Sequence, residues 1–110
     1  MNEIQQDIPN PFSVNWKKQS ASEIFPGIQV YSMWQEIKKG KAIVVTIEPG
    51  SKWQGVDVHE TSSEEIFVVS GVFNDGKRNY EAGTFIHYPV NSSHVPQSDT
   101  GCILFVFYPN

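Results

Sequence analysis

Cysteine is almost missing from this chain. One residue in 110, Cys102, carries a thiol, which excludes an internal disulfide and suits a reducing, cytoplasmic setting. Long apolar runs are also missing, and none reaches the ~20 residues that a membrane-spanning helix needs. The opening residues Met1 to Asp7 are polar and acidic, unlike the basic then apolar start of a secretory leader. Positive charge is sparse. Eight Lys and Arg stand against twelve Asp and Glu, the net charge is −4, and neither sign forms a run. Without a basic stripe there is no electrostatic footprint for nucleic acid, and no surface built for anionic lipid. A small molecule or another protein is the partner that these absences leave.

The chain does contain strand chemistry, broken into short pieces by seven prolines and eight glycines. Val14 and Trp16 can open a first strand, Lys17 to Ser22 reads as a loop, and Phe25-Pro26-Gly27 is a corner. Ile28 to Trp34 alternates as a strand. Ala42 to Ile47 is apolar on both faces and reads as a buried strand. In the looser stretch from Lys52 to His59, Val56 and Val58 share one face while Asp57 and His59 share the other. Glu64 to Ser70 is the strongest strand, continuing through Gly71 and Phe73 into the hairpin turn Asn74-Asp75-Gly76. Gly83 then leads into Thr84, Phe85, Ile86 and Tyr88, a strand that Pro89 stops. Asn91, Ser92 and Ser93 form a turn in which Asn tolerates the left-handed region. His94 opens the next strand, which Pro96 keeps short. Cys102 to Tyr108 is a final strand, buried on both faces. Eight or nine short strands and no helix predict an all-β sandwich or barrel. Residues 1–13, with Pro9 and Pro11, read as an arm, and 14–110 as one domain.

Side chains from separate strands of a closed barrel can converge on its interior. Asp57, His59, Glu64 and His94 sit where that would bring them together. Two imidazoles with one or two carboxylates suit a divalent ion: Zn²⁺, Fe²⁺, Mn²⁺, Co²⁺ or Ni²⁺. No nucleophile triad or separate acid–base pair stands out. The remaining chemistry-bearing residues read more plainly. His87 belongs to a strand rim, Glu65 to solvent, and Cys102 to the core. Trp34, Trp53, Phe67 and Phe105, aromatics at period two, also read as core.

The spacing of Gly83, Pro89, Asn91 and His94 resembles the second motif of the cupin superfamily, with Asn91 where the family usually carries Gly. Gly50, Asp57-Val58-His59, Glu64 and Gly71 resemble the first, a His-x-His ahead of a Glu. Here Asp57 takes the first His position, with one residue more than usual before it. The resemblance carries over His59, Glu64 and His94 as metal ligands, with Asp57 substituting for a histidine. A second register stays open, in which His59 matches the first His, Thr61 faces the same way, and Glu60 is a rival carboxylate. The stretches Glu64 to Gly76, Tyr80 to Phe85, Tyr88 to Pro96 and Gly101 to Val106 are most similar to the ChrR-like cupins, the branch named for the metal-binding domain of an anti-sigma factor.

That resemblance implies a single-domain cupin, a double-stranded β-helix or jelly-roll barrel, over residues 14–108. It implies a divalent metal inside the barrel and dioxygenase-like activity on a small oxygen-chelating substrate. The alternatives are a non-catalytic ligand- or metal-sensing module, or a metal-free cupin. The zinc-binding pattern His-x₃-Cys-x₂-Cys of the anti-sigma factor's other domain is absent, which argues against sigma inhibition. Pairing of small cupins through sheets or arms implies a homodimer.

Overall fold

The computed structural model describes residues 10–109. Most of the expected arm, residues 1–9, therefore lies outside the described residues, and 10–13 take no regular structure. The described residues form eleven strands in order: β1 (Ser22–Phe25), β2 (Ile28–Glu36), β3 (Gly40–Ile47), β4 (Ser51–Lys52), β5 (Asp57–Val58), β6 (Glu64–Asn74), β7 (Asn79–Glu81), β8 (Phe85–Tyr88), β9 (Ser93–His94), β10 (Gln97–Ser98) and β11 (Cys102–Tyr108). The fold is all-β, a nearly closed jelly-roll barrel, as the strand count predicts.

One expectation fails at the start. Trp16 opens no strand; it begins a 3₁₀ turn, Trp16–Lys18, capped by Asn15, whose Oδ1 accepts from the Lys17 amide at 3.0 Å. Asparagine at that position competes for backbone donors and so favours a cap over an extended run. The Trp16 ring then packs edge-on against Tyr31, centroids 4.9 Å apart.

The long strand β6 organises the rest. Its first half pairs with β11 on one side and β8 on the other, and its second half pairs with β7 and β10. The change of sheet centres on Gly71, which has φ +77, and just before it the β6–β11 register shifts between Ile103 and Leu104, opposite Ser70 and Val68. A glycine is needed there, because a Cβ would lie 2.1 Å from the Gly101 carbonyl oxygen. Inward residues of β6 and β11 alternate with outward ones. Ile66, Val68, Cys102, Leu104 and Val106 join Ile28, Ile43, Ile47, Phe73, Ile86 and Tyr88 in one core. Cys102 is thus a core residue, and burial pushes its thiol up to about 11.

The same alternation corrects two expectations. β11 is buried on one face rather than both, and Phe105 and Phe67 point outward with Phe85. These three are register partners across β11, β6 and β8, so they form one row on the barrel's outer wall. Aromatic periodicity does not distinguish an inward face from an outward one, and no layer among the described residues covers that wall. Trp53 does pack on the core, against Phe25 at 4.7 Å.

Candidate metal centre

Two short strands bring the site together. β5 and β9 pair antiparallel, with Asp57 opposite His94. The pairing continues past the end of β5 and the start of β9. The His59 amide donates to the Ser92 carbonyl at 3.0 Å, and the Asn91 amide donates to the His59 carbonyl at 2.6 Å. Asn91 adopts φ +73, the left-handed turn expected of it. Period two then aims Asp57 and His59 inward while Val56 and Val58 face solvent. Glu64 enters the same space from the first residue of β6, and His94 from the last of β9.

Four donor atoms, one from each of Asp57, His59, Glu64 and His94, lie within 4.8 Å of one another. Glu64 Oε1 is 2.9 Å from His94 Nε2 and 3.0 Å from His59 Nε2. Asp57 Oδ2 stands 3.6 Å from His94 Nε2 and 3.9 Å from His59 Nε2. His59, Glu64 and His94 are buried, and Asp57 is half-buried at the rim. In the rival register, Glu60 and Thr61 are both exposed and outside the cluster, so the geometry gathers the first set.

The donor set fits a divalent cation. The His59 Nε2 is fully buried and has no hydrogen-bond partner, although Glu64 Oε1 stands 3.0 Å from it. A buried ring nitrogen left so is costly, and the outer nitrogen of His94, Nδ1, is likewise buried without a partner. Two carboxylates also crowd here. Burial, and then the charge of Glu64, push the Asp57 carboxyl above its usual range, against the pull of His94 and His59. Ligand atoms ~2.1 Å from one ion lie ~3–4 Å from each other, and the four histidine–carboxylate distances here run from 2.9 to 3.9 Å.

Three further residues complete the site, and motif spacing points to none of them. Tyr108, the last residue of β11, donates to Glu64 Oε2 at 2.6 Å. Burial, and then the Glu64 charge, hold its phenol far above the usual range. The even-numbered parity of Leu104 and Val106 is the signal that could have found it. Tyr88 lies parallel to His94, rings 4.4 Å apart and 6° from coplanar, and His94 in turn stacks on His59 at 4.8 Å. The Tyr88 hydroxyl donates at 2.9 Å to Asp75, a buried turn residue that also accepts from Tyr80 and from the amides of Lys77 and Arg78. His87, by contrast, is exposed and pairs with Glu65 at 2.7 Å, away from the centre.

Below the four donors the barrel holds a cavity of about 70 Å³, walled by Val30, Ile43, Val45, Trp53 and Leu104. Above them a mouth of about 130 Å³ is bounded by Asp57, His59, Glu60, Thr61, Ser62 and Tyr108. A larger groove of about 340 Å³ between the β2–β3 tip and residues 61–62 touches the site only through Tyr108.

A family model for the ChrR cupin-like domain matches residues 9–109. The chain belongs to that family. No curated protein matches it. Among solved structures, KdgF from Halomonas sp. is 20% identical with a TM-score of 0.74, covering 93% of this chain and 96% of that one. An RmlC-like cupin from Shewanella frigidimarina is 21% identical with a TM-score of 0.76, covering 93% of each chain. The complex of Rhodobacter sphaeroides SigE with the anti-sigma ChrR contains a chain 16% identical with a TM-score of 0.72. That match covers 86% of this cupin and 50% of that chain. At such identities the likeness shows the cupin fold.

Proposed function

We propose that this cupin holds one divalent transition metal on Asp57, His59, Glu64 and His94. The same reading gives it dioxygenase-like chemistry on a small oxygen-chelating substrate. The observation that carries metal binding is the unpartnered, buried Nε2 of His59 among three other donors. A bound transition metal would supply Lewis acidity to an oxygen ligand and, in a redox-active form, electrons for dioxygen chemistry. The chain's own residues do the rest. Tyr108 fixes the Glu64 carboxylate, Tyr88 braces the His94 ring, and the apolar cavity keeps water from the inner side. Metal analysis of protein purified without a histidine tag tests the reading. About one equivalent of a transition metal is expected. Less than about a tenth, unimproved by added Fe²⁺, Mn²⁺ or Zn²⁺, would sink it.

A second reading, a sensing module without turnover, draws on the family match to the ChrR cupin-like domain, ChrR itself being an anti-sigma. Oxygen uptake by Fe²⁺-loaded protein with oxygen-chelating candidates separates the two. Uptake supports the enzyme, and metal binding without uptake supports the sensor.

The partner we propose at the outer wall is a second copy of this chain. The row Phe85, Phe67 and Phe105 exposes on the order of 300 Å² of ring surface. It carries no charge, so it meets its own copy without repulsion despite the net −4. That area is less than half of what one side of a standard interface buries, about 800 Å², so neighbouring residues must add to it. Light scattering should give twice the chain mass for the native protein and the single mass for Phe85→Glu. A native monomer at every concentration overturns the pairing.

A further inference from the structure

Charge at the centre selects its ligand. Resting on the metal-binding reading above, we infer that this centre takes small uncharged ligands and turns away anions, and that Asp57 is the residue that sets the preference. The ligand class is a small uncharged molecule whose oxygen or nitrogen donors reach the metal and whose remainder is short and apolar.

Carboxylates that bind a metal do so ionised and histidines bind neutral, so Asp57 and Glu64 together cancel the two charges of a divalent ion. A histidine at position 57 would leave one positive charge; aspartate leaves none. Among the described residues no lysine or arginine lines the inner cavity or the mouth, whose charged or titratable groups at the donors are Asp57, His59, Glu60, Glu64 and His94, with the Tyr108 phenol beside them. Lys38 and Lys41 line only the outer groove. An anionic ligand at the metal would therefore add net negative charge beside two carboxylates, with no cation to compensate it, in surroundings that screen poorly. The inner walls are apolar, aliphatic but for Trp53 and Phe73, apart from the polar end formed by the donors and Tyr108. They welcome apolar surface and offer no partner to a polar group that is not itself on the metal. The inner cavity, about 70 Å³, is about half the ~150 Å³ of a cavity that takes up benzene, so the buried remainder is a few carbon atoms.

The test uses Co²⁺-loaded protein, whose visible absorption reports on its ligands, titrated at about pH 8, where imidazole is mostly uncharged, with imidazole as the uncharged probe and azide as the anion. Imidazole is expected to bind at least tenfold more tightly than azide. In Asp57→Asn, which removes the charge and keeps the shape, azide affinity should rise at least tenfold while imidazole shifts less than about threefold. Asp57→His, which supplies a nitrogen donor, gives the same reading if the Asn variant loses the metal. Azide binding as well as imidazole to the native centre, no gain for azide in either variant, or neither probe perturbing the spectrum each overturns the inference. Failure of the native protein to take up Co²⁺ at all is a different result, and it counts against the metal-binding reading itself.

Discussion

Tyr108 and Glu64, 44 residues apart in the chain, meet at 2.6 Å, with the phenol donating to Glu64 Oε2 while Oε1 faces both imidazoles. One carboxylate is thus held from behind by β11 and presented forward by β6. Such outer partners fix the orientation of a metal ligand, and losing them typically costs tenfold to a hundredfold in affinity. Tyr108→Phe keeps the ring and removes only the donor. Co²⁺ affinity, measured by competition with a chelating dye, should fall about tenfold, while the urea midpoint moves little. Unchanged affinity would reduce Tyr108 to a packing residue.

Asp75 has a comparable role farther from the donors. Burial alone would raise its carboxyl, but the amides of Arg78 and Lys77 and the hydroxyls of Tyr88 and Tyr80 outweigh that and hold it below the usual range. A depressed folded value means stability that is present above the unfolded value, 3.8, and is lost as pH falls through the lower folded one. Asp75→Asn should therefore cost about 1–3 kcal/mol at pH 7. Its gap from the native protein should narrow in urea unfolding near pH 3. A gap independent of pH would show that the side chain's shape matters there and its charge does not.

Much of this centre could be read from spacing because β-strands convert sequence parity into direction. Asp57 and His59 had to share a face, and the turn at Asn91 had to deliver His94 beside them. The register between the two motif alignments was not legible, since it depends on whether residue 60 or residue 64 enters the barrel, and only the placement of β6 decides that. Tyr108 and Asp75 were missed for a related reason. Parity gives the direction of Tyr108 but not its bond to Glu64, 44 residues away, and nothing local ties the turn carboxylate of Asp75 to Tyr88. The outward row of Phe67, Phe85 and Phe105 shows the opposite limit: period two gives alternation but not which side is the core.

Gly71 and Gly55 offer a controlled comparison of backbone against packing. Both have positive φ, +77 and +95. A Cβ on Gly55 would meet open space, whereas one on Gly71 would strike the Gly101 carbonyl and the Cys102 Cα at 2.8 Å. Gly55→Ala should lose only the left-handed penalty, about 1–2 kcal/mol. Gly71→Ala must in addition part β6 from β11, and more than about 4 kcal/mol is expected, enough to unfold many domains of this size. Thermal unfolding of the two variants side by side checks this. Equal losses would mean that the β6–β11 crossing yields more readily than the close approach implies.

The three histidines of this chain divide two to one, and that division gives the most direct check on the centre. His59 and His94 are buried, stacked on each other and aimed at Glu64; His87 is exposed and bound to Glu65 across β6 and β8. Removing a ligand nitrogen takes away a coordinate bond and leaves the surrounding carboxylates unbalanced, so His59→Ala and His94→Ala should each lower Co²⁺ affinity at least a hundredfold. His87→Ala should leave it within about twofold. Because the imidazoles bind metal only when neutral, protons compete with the ion, and native affinity should fall as pH is lowered through the mildly acidic range. Calorimetric titration of all four proteins at two pH values reads both effects together. A His87 variant that loses as much as the inner two, or an affinity flat with pH, would place the ion somewhere other than between β5, β6 and β9.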